Sequence, residues 1–400
     1  MKALLLENIH TEAEDILRRH GIEVETRPGA LDEDELIEAL EGVGLLGIRS
    51  KTQVTRRVLE ARPDLMAVGA FCIGTNQIDL EAAAETATPC FNAPYSNTRS
   101  VVELAIAEII ALARHLTDKN RGMHEGLWDK SAKGAHEVRG RTLGLIGYGN
   151  IGKQLSVVAE ALGMHVYFYD VRDELPMGNA RKCATMDELF ENAECISVHV
   201  DGRSSNRNLI GRAEFEKMRP RTLFLNLSRG HVVDIDALHD ALTSGHIAGA
   251  GIDVYPEEPK AAGEAFASPL QGLPNVILTP HVGGSTAEAQ ENIGQFVAGK
   301  LLDYIENGST ELAVNFPEAA LAPVSTGVRL LHVHENVPGV LSAVNSVFSQ
   351  HQVNVDRQTL VTQGTTGYLV TDCSSGVTRE VIDEILGLAA TQRLATIGEH

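Results

Sequence analysis

Cysteine is scarce in this chain of 400 residues. The five cysteines (Cys72, Cys90, Cys183, Cys195, Cys373) are odd in number, widely spread and never spaced as a CxxC pair. That pattern excludes a disulfide framework and a zinc site, and no metal is expected. Cations are also in short supply: 34 Lys and Arg against 54 Asp and Glu leave a formal charge of −20. A nucleic-acid surface needs clustered Lys and Arg to displace counterions, so nucleic acid is not an expected partner. The same deficit leaves no basic patch for an anionic membrane. Long apolar runs are missing too. The longest, residues 101–113, is interrupted by Glu103 and Glu108 and is too short to span a bilayer. The opening Met1-Lys2-Ala3-Leu4-Leu5-Leu6 is broken at once by Glu7, so no signal peptide is expected. Internal repeats and low-complexity tracts are absent. A reduced, soluble, cytoplasmic protein is the expectation.

What is present is ample apolar material, 43% of residues, and enough length for two or three domains of roughly 150 residues each. Short apolar runs at 3–6, 44–48, 65–68 and 89–92 alternate with amphipathic stretches such as 11–20, closed by Gly21. This alternation predicts a parallel sheet wrapped by helices. Residues 101–114 are apolar nearly all round and predict a helix buried on several sides. A second α/β pattern, with strands at 142–146, 166–169, 195–199, 222–226, 248–252 and 276–278, predicts a doubly wound sheet. Residues 307–327 are rich in Pro, Ala, Ser and Gly and read as a linker. Beyond them the order βαββαβ is the ferredoxin-like arrangement. The lone Trp128 reads as a core residue, with a subunit contact as the alternative.

Gly147-Tyr148-Gly149-Asn150-Ile151-Gly152 is a G-x-G-x-x-G that follows an apolar strand and opens a helix. The first Gly permits the tight turn, the second lets backbone approach a pyrophosphate, and the third lets helix pack on strand. N–H groups at the helix start suit the phosphate charge. Asp170 ends the next strand, eighteen residues after Gly152. A carboxylate there accepts from both ribose hydroxyls and repels a 2′-phosphate, which favours NAD over NADP. Arg172, two residues on, pulls the other way. A glycine-rich turn without ligand is the competing reading.

Three further segments place polar residues just after predicted strands, where ligands bind in such sheets. They contain Arg229, Asp253 with Glu258, and His281. Oxidising a 2-hydroxy acid needs a cation to hold the carboxylate and polarise the oxygen at C2, a base for the hydroxyl proton, and a carboxylate to orient that base. Arg229, His281 and Glu258 fill those roles, and Asp253 suits the nicotinamide carboxamide. Taken singly, each has an ordinary alternative: a surface ion pair, a solvated loop residue, a turn cap.

These segments closely resemble the D-2-hydroxyacid dehydrogenase family, whose marks are the glycine fingerprint, Ser228-Arg229-Gly230, a Glu in the loop from Asp253-Val254 to Glu258-Pro259, and Pro280-His281-Val282-Gly283. The C-terminal βαββαβ unit, with His334-Glu335-Asn336-Val337-Pro338-Gly339, resembles an ACT domain, a small amino-acid-sensing module. The likeness runs over nearly the whole chain and includes Phe71 to Gln77, Phe91-Asn92-Ala93-Pro94, Ser96 to Ser100 and Gly283 to Thr286. The resemblance implies an α/β chain of three parts. A flavodoxin-like substrate domain spans 1–96 and 285–325, a Rossmann domain 97–284, and an ACT domain 326–400. The first two would be hinged about the active-site cleft. It implies NAD as cofactor, with further contacts from His199, Leu227, Ser228, Gly283 and Gly284.

For the substrate the resemblance implies 3-phosphoglycerate, oxidised to 3-phosphohydroxypyruvate in serine synthesis. Arg49 and Ser50, in Ile48-Arg49-Ser50-Lys51, and Asn97 would contact it, and the backbone of Ile73 and Gly74 would meet its carboxylate. From the residues alone, Arg49 and Lys51 suit a phosphate, or are solvated charges at a strand end. L-serine would bind His334, Asn336 and Asn354 where two ACT domains meet, although Asn336 equally suits a helix N-cap. A homotetramer is implied. Two segments depart from the family pattern: Pro323 to Gly327 carries one Gly where two adjacent are usual, and Asp201 to Asn206 replaces a Pro-Thr loop. Another 2-oxo acid, 2-oxoglutarate above all, and an NAD-sensing regulatory protein of the same fold are the rival readings.

Overall fold

A computed structural model describes residues 1–259, 263–324 and 327–398. The chain divides into two compact units, Met1–Ser96 with Gln290–His400, and Asn97–Ala289.

The first unit holds a parallel sheet in the order Glu23–Thr26, Lys2–Leu5, Leu45–Ile48, Ala67–Ala70, Cys90–Asn92. Numbered along the chain this is 2-1-3-4-5, the flavodoxin-like order. Glu23–Thr26 is an edge strand that hydrophobic patterning does not reveal, because Glu-Val-Glu-Thr has a single apolar residue. The helix Ala287–Asn307 returns to this sheet and buries Ile293, Val297, Ala298 and Leu301 against Ala3, Leu5, Leu45 and Phe91. Gly69 makes room for it: a Cβ there would stand 2.7 Å from Val297 Cγ1.

The stretch expected as a linker is packed down instead. Asn315 Oδ1 accepts from Cys90 N–H at 2.8 Å and its Nδ2 donates to Thr88 O at 3.0 Å, while Phe316 and Ala319 are buried. Small and polar residues here fill and satisfy a surface rather than loosen the chain. Ser325 and Thr326 of the expected hinge lie outside the described residues.

Also in this unit is an antiparallel sheet in the order Asn354–Gln363, Thr366–Ser375, Val328–Glu335, Thr391–Gly398, with helices Val340–Gln350 and Arg379–Leu386. It is the βαββαβ unit. One face lies under the helices, with Leu330 and Leu369 against Val344, Phe348, Val381 and Ile385. The other, with Leu331, Val333, Tyr368 and Val370, packs on Ala87, Phe316 and Ala319. Polar ties reinforce this second face. Arg329, 1% exposed, grips Asp372 with two N–H groups at 2.5 and 2.8 Å. Its Nη1 donates to Asn307 O and Ala322 O, both at 2.8 Å. Tyr368 Oη donates to Gly308 O at 2.6 Å, and Arg393 to Pro63 O at 2.8 Å.

The second unit is built on an all-parallel sheet in the order Val276–Leu278, Ile247–Ile252, Thr222–Asn226, Cys195–Val198, Thr142–Ile146, His165–Tyr169, Arg181–Lys182. Numbered along the chain this is the doubly wound order 3-2-1-4-5-6, with Val276–Leu278 added as a seventh strand at one edge. Arg181–Lys182, the strand at the other edge, is too short and polar to be seen in sequence. Helix Thr98–Ala113 is buried on several sides, including Glu108 at 3% exposure. Trp128 is not a core residue: it is 78% exposed, next to exposed Leu127 and Met123. Among the described residues no helix is long and apolar enough to cross a membrane.

Candidate active site

The carboxyl ends of the parallel strands in the second unit carry the chemistry. After Thr222–Asn226 the chain turns through Leu227, Ser228 and Arg229. Asn226 organises the turn: its Oδ1 accepts from Ser228 N–H at 3.1 Å and Ser228 Oγ at 2.8 Å, and its Nδ2 donates to Arg229 O at 3.1 Å. Gly230 follows because nothing larger fits. A Cβ there would fall 1.9 Å from the Tyr255 carbonyl.

After Ile247–Ile252 the chain runs through Asp253 and Tyr255 to Glu258. Glu258 Oε1 accepts from Tyr255 N–H at 3.1 Å and Oε2 meets His281 Nδ1 at 2.8 Å. His281 is in the left-handed region, φ 55. Its loop is held there by Asp253, which is 1% exposed. Asp253 Oδ1 accepts from Thr279 Oγ1 at 2.6 Å and Val282 N–H at 2.8 Å, and Oδ2 from Gly283 N–H at 2.8 Å. Asp253 therefore sets the backbone that aims His281, a role its sequence position alone did not suggest. Tyr255 does the same from below, its Oη lying 2.9 and 3.0 Å from the carbonyls of Ile252 and Thr279.

The electrostatics follow. The Glu258 hydrogen bond raises the pKa of His281 above its ordinary 6.5, against the opposing pull of burial and of Arg229. Burial alone would raise the Glu258 pKa, but its bonds from His281 and Tyr255 N–H, with Arg229 nearby, leave it below the usual value. An imidazole with a fixed Nδ1 partner presents Nε2 as the atom that gives or takes a proton.

The glycine fingerprint fits a dinucleotide. Gly147 has φ 92, and a Cβ there would press on His199 O at 2.6 Å. A Cβ on Gly149 would meet nothing within 4 Å, which leaves backbone open to a ligand. At Gly152 it would be 2.4 Å from Gly147 O, so the helix Asn150–Ala161 packs tightly on the turn. Ile151 lies in the first turn of that helix. Tyr148 points inward, stacked on Phe168 at 3.7 Å with its hydroxyl on Ser156 Oγ at 2.8 Å. Asp170 accepts from Tyr148 N–H at 2.7 Å and from Arg172 N–H at 2.8 Å. His199 Nε2 is 2.8 Å from Ser197 Oγ, its buried Nδ1 has no partner among the described residues, and burial lowers its pKa to about 4. It is neutral at physiological pH. Gly283 and Gly284 are close-approach positions: a Cβ would meet Asp253 Oδ2 at 2.9 Å and Asn97 Nδ2 at 2.2 Å. Asn97, whose Oδ1 is buried without a partner, thus stands beside Gly284.

In the first unit, Arg49, Ser50 and Lys51 follow the strand Leu45–Ile48, and Ile73 and Gly74 follow Ala67–Ala70. Both loops sit at carboxyl ends of parallel strands. Among the described residues the side chains of Arg49 and Lys51 enter no ion pair. In the βαββαβ unit, His334 is 3% exposed, with Nδ1 on Glu335 O at 2.8 Å and a buried Nε2 that has no partner among the described residues. Asn336 donates to Gly364 O at 3.1 Å and does not cap the following helix, whose N-cap is Gly339. Asn354 donates to Asp356 Oδ1 and Ser374 Oγ, each at 3.0 Å. His334 lies opposite Gly367 and Asn354 opposite Ser375, so one chain holds them at opposite ends of the same strand.

Residues 106–283 match the family described as D-isomer specific 2-hydroxyacid dehydrogenase, NAD binding domain. Residues 330–391 match an AHAS small subunit-like ACT domain. The D-3-phosphoglycerate dehydrogenase of Escherichia coli is 50% identical over 373 residues, 93% of this chain and 91% of that one. The chain belongs to the D-3-phosphoglycerate dehydrogenases of the D-2-hydroxyacid dehydrogenase family. The Haemophilus influenzae member is 48% identical over 98% of this chain and 96% of its own. Solved structures of the family superpose on it. A D-lactate dehydrogenase from Sporolactobacillus, 27% identical, gives a TM-score of 0.68 and covers 80% of this chain and 100% of that one. An NAD-complexed D-isomer specific 2-hydroxyacid dehydrogenase from Lactobacillus delbrueckii, 24% identical, gives 0.69 over 76% and 97%. As a family member the chain is an NAD-dependent oxidoreductase with a C-terminal ACT domain.

Proposed function

We propose that the chain oxidises 3-phospho-D-glycerate to 3-phosphohydroxypyruvate in serine synthesis, under feedback from L-serine, with reduction of 2-oxoglutarate as a side activity. The observation that carries the reading is the His281–Glu258 pair, 2.8 Å apart, with Arg229 close enough to act on both.

In this reading Arg229 holds the substrate carboxylate and draws electron density from the C2 oxygen. His281 Nε2 takes the hydroxyl proton, and Glu258 stabilises the imidazolium that results. The cofactor, when bound, supplies the two-electron acceptor for the C2 hydride. Gly147 to Gly152 would hold its pyrophosphate, Asp170 its ribose, and His199, Leu227, Ser228, Asp253, Gly283 and Gly284 its nicotinamide end. Arg49, Ser50 and Lys51 would take the distal phosphate, the backbone of Ile73 and Gly74 would meet the carboxylate, and Asn97 would also contact the substrate. We propose likewise that residues 1–96 with 285–325 act as the substrate domain, 97–284 as the nucleotide domain and 326–400 as the ACT domain.

The effector reading draws support from edge geometry. Asn354–Gln363 is an edge strand, with exposed Leu360 facing out. Two copies joined antiparallel along it would bring Asn354 of one beside His334 and Asn336 of the other, which a single chain keeps roughly 27 Å apart. The exposed Trp128 suits a second subunit contact, and a homotetramer follows from two such interfaces.

The test is NADH oxidation with 3-phosphohydroxypyruvate and with 2-oxoglutarate, each with and without L-serine. Fast, serine-suppressed turnover of the phosphorylated substrate is expected, and no turnover of either would refute the assignment. His281→Ala should lower kcat by orders of magnitude with NADH affinity nearly intact; unchanged turnover would remove His281 from the chemistry. Arg49→Ala should raise KM for the phosphorylated substrate more than for one with no distal charge.

A further inference from the structure

Glu7 follows the first strand in the left-handed region, φ 64, and Asn8 repeats it at φ 53. Two successive non-glycine residues in that region are strained, and such strain persists only where the surroundings over-determine it. What the strained turn delivers is a carboxylate. Glu7 is 8% exposed. Its Oε1 accepts from Thr52 N–H at 2.8 Å and Arg49 N–H at 3.2 Å, and its Oε2 accepts from Lys51 N–H at 3.0 Å. Several N–H groups of one short loop converging on one anion make an anion-binding concavity. Here the chain's own side chain fills it.

The same loop is tied from a second direction. Gln77, 3% exposed, donates through Nε2 to Arg49 O at 2.5 Å and Gly74 O at 3.2 Å. Asn92 Nδ2 donates to Ile73 O at 2.6 Å. Three buried or nearly buried polar side chains thus hold both strand-end loops of the first unit.

We propose that Glu7 is a positioning residue for the distal-anion site: it occupies the backbone concavity of residues 49–52 and leaves the substrate's far end to the side chains of Arg49, Ser50 and Lys51. This rests on the substrate role proposed above for those residues. Its consequence concerns specificity. Fixed amides would match the tetrahedral geometry of a phosphate. A guanidinium fork fits a carboxylate and a phosphate alike, and a lysine ammonium selects for negative charge and far less for its shape. A site built this way takes a distal carboxylate as well as a distal phosphate.

The experiment uses the full chain and the variants Glu7→Gln, Glu7→Asp, Glu7→Ala and Arg49→Ala. KM and kcat are measured for 3-phosphohydroxypyruvate, 2-oxoglutarate and hydroxypyruvate, which has no distal charge, together with amide hydrogen exchange. Gln is nearly isosteric but turns an NH2 toward a loop N–H. Glu7→Gln should raise KM about tenfold for the two distally charged substrates, less than about twofold for hydroxypyruvate, and with the smaller part of the effect in kcat. Exchange should quicken at residues 49–52 and not elsewhere. Added formate should partly reverse the KM defect of Glu7→Ala by refilling the concavity. Equal KM changes for all three substrates, or faster exchange with no change in KM, would overturn the proposal. If Arg49→Ala separates the substrates and Glu7→Gln does not, the proposal falls and the substrate reading stands; if neither separates them, both fall. Should exchange in Glu7→Gln rise throughout the chain, Glu7→Asp, which shortens the carboxylate without removing it, replaces it under the same criteria.

Discussion

Glu258→Gln removes a charge from the site and almost nothing else. The side chain keeps its length, and its carbonyl oxygen can still accept from Tyr255 N–H. What it loses is the anion 2.8 Å from His281 Nδ1. That anion is the chief cause of the raised His281 pKa, while burial and Arg229 act in the opposite sense and remain in the variant. The His281 pKa therefore falls. The sign differs with direction of reaction. In the proposed mechanism oxidation needs neutral imidazole, so its rate, which climbs with pH through the His281 pKa, climbs at lower pH in the variant. Reduction needs imidazolium, so its rate declines at lower pH than in the parent. A hydrogen bond to a charged group contributes about 1.5–3 kcal/mol. His281 and Glu258 side chains are 49% and 35% exposed, and solvent screening puts the pair at the lower end. About 1.5 kcal/mol corresponds to about a tenfold loss in kcat. The assay is kcat and kcat/KM in both directions across about pH 5 to 10. A profile that stays in place, or moves to higher pH, would refute the electrostatic reasoning.

Four other outcomes follow from the geometry. Gly230→Ala should abolish dehydrogenase activity and lower Tm, because a Cβ 1.9 Å from the Tyr255 carbonyl displaces the backbone carrying Arg229 or Glu258; a folded, fully active variant would show that the turn yields. Asp170→Ala should raise KM for NADH by about tenfold and narrow the preference over NADPH, as read from the ratio of kcat/KM for the two. Glu108 is buried with no hydrogen-bond partner among the described residues, and burial, with Asp253 nearby, raises its pKa to about 8. The folded state then binds a proton that the unfolded state releases, so this group's contribution declines as pH rises from about 4.5 to about 8. Glu108→Gln should gain Tm relative to the parent over that window, and a difference constant with pH would contradict it. Asp372→Ala strands the buried Arg329 and should cost about 3–5 kcal/mol by denaturant unfolding.

Much of this was legible in sequence for a physical reason. Parallel strands buried on both faces read as apolar runs, and Thr142–Ile146 and Thr222–Asn226 stand where the pattern puts them. Glu23–Thr26 and Arg181–Lys182 were not legible, because edge strands need only one buried face or none. At the site, Arg229, Glu258 and His281 were visible as residue types suited to one reaction. Their supports were not. Asn226 ties the backbone of its own turn, Tyr255 reaches the distant Thr279 carbonyl, and Thr279 bonds the Asp253 side chain; composition carries no trace of such partners. Trp128 and the Pro-rich stretch depart from expectation in opposite ways. A large aromatic reads as core and is exposed; a Pro-rich stretch reads as a tether, and its described residues are anchored.

That anchoring bears on how the C-terminal module can be studied. Its sheet shares a core with the fold that carries Arg49 and Lys51, through Leu331, Val333, Tyr368 and Val370 against Ala87 and Phe316. A chain shortened to end near residue 327 would bare this apolar face and lose the Arg393 tie to Pro63. Any change in turnover would then mix the loss of the proposed control with a damaged fold. The proposed control is better dissected one side chain at a time, at Asn336 or Asn354, which are exposed and outside that shared core.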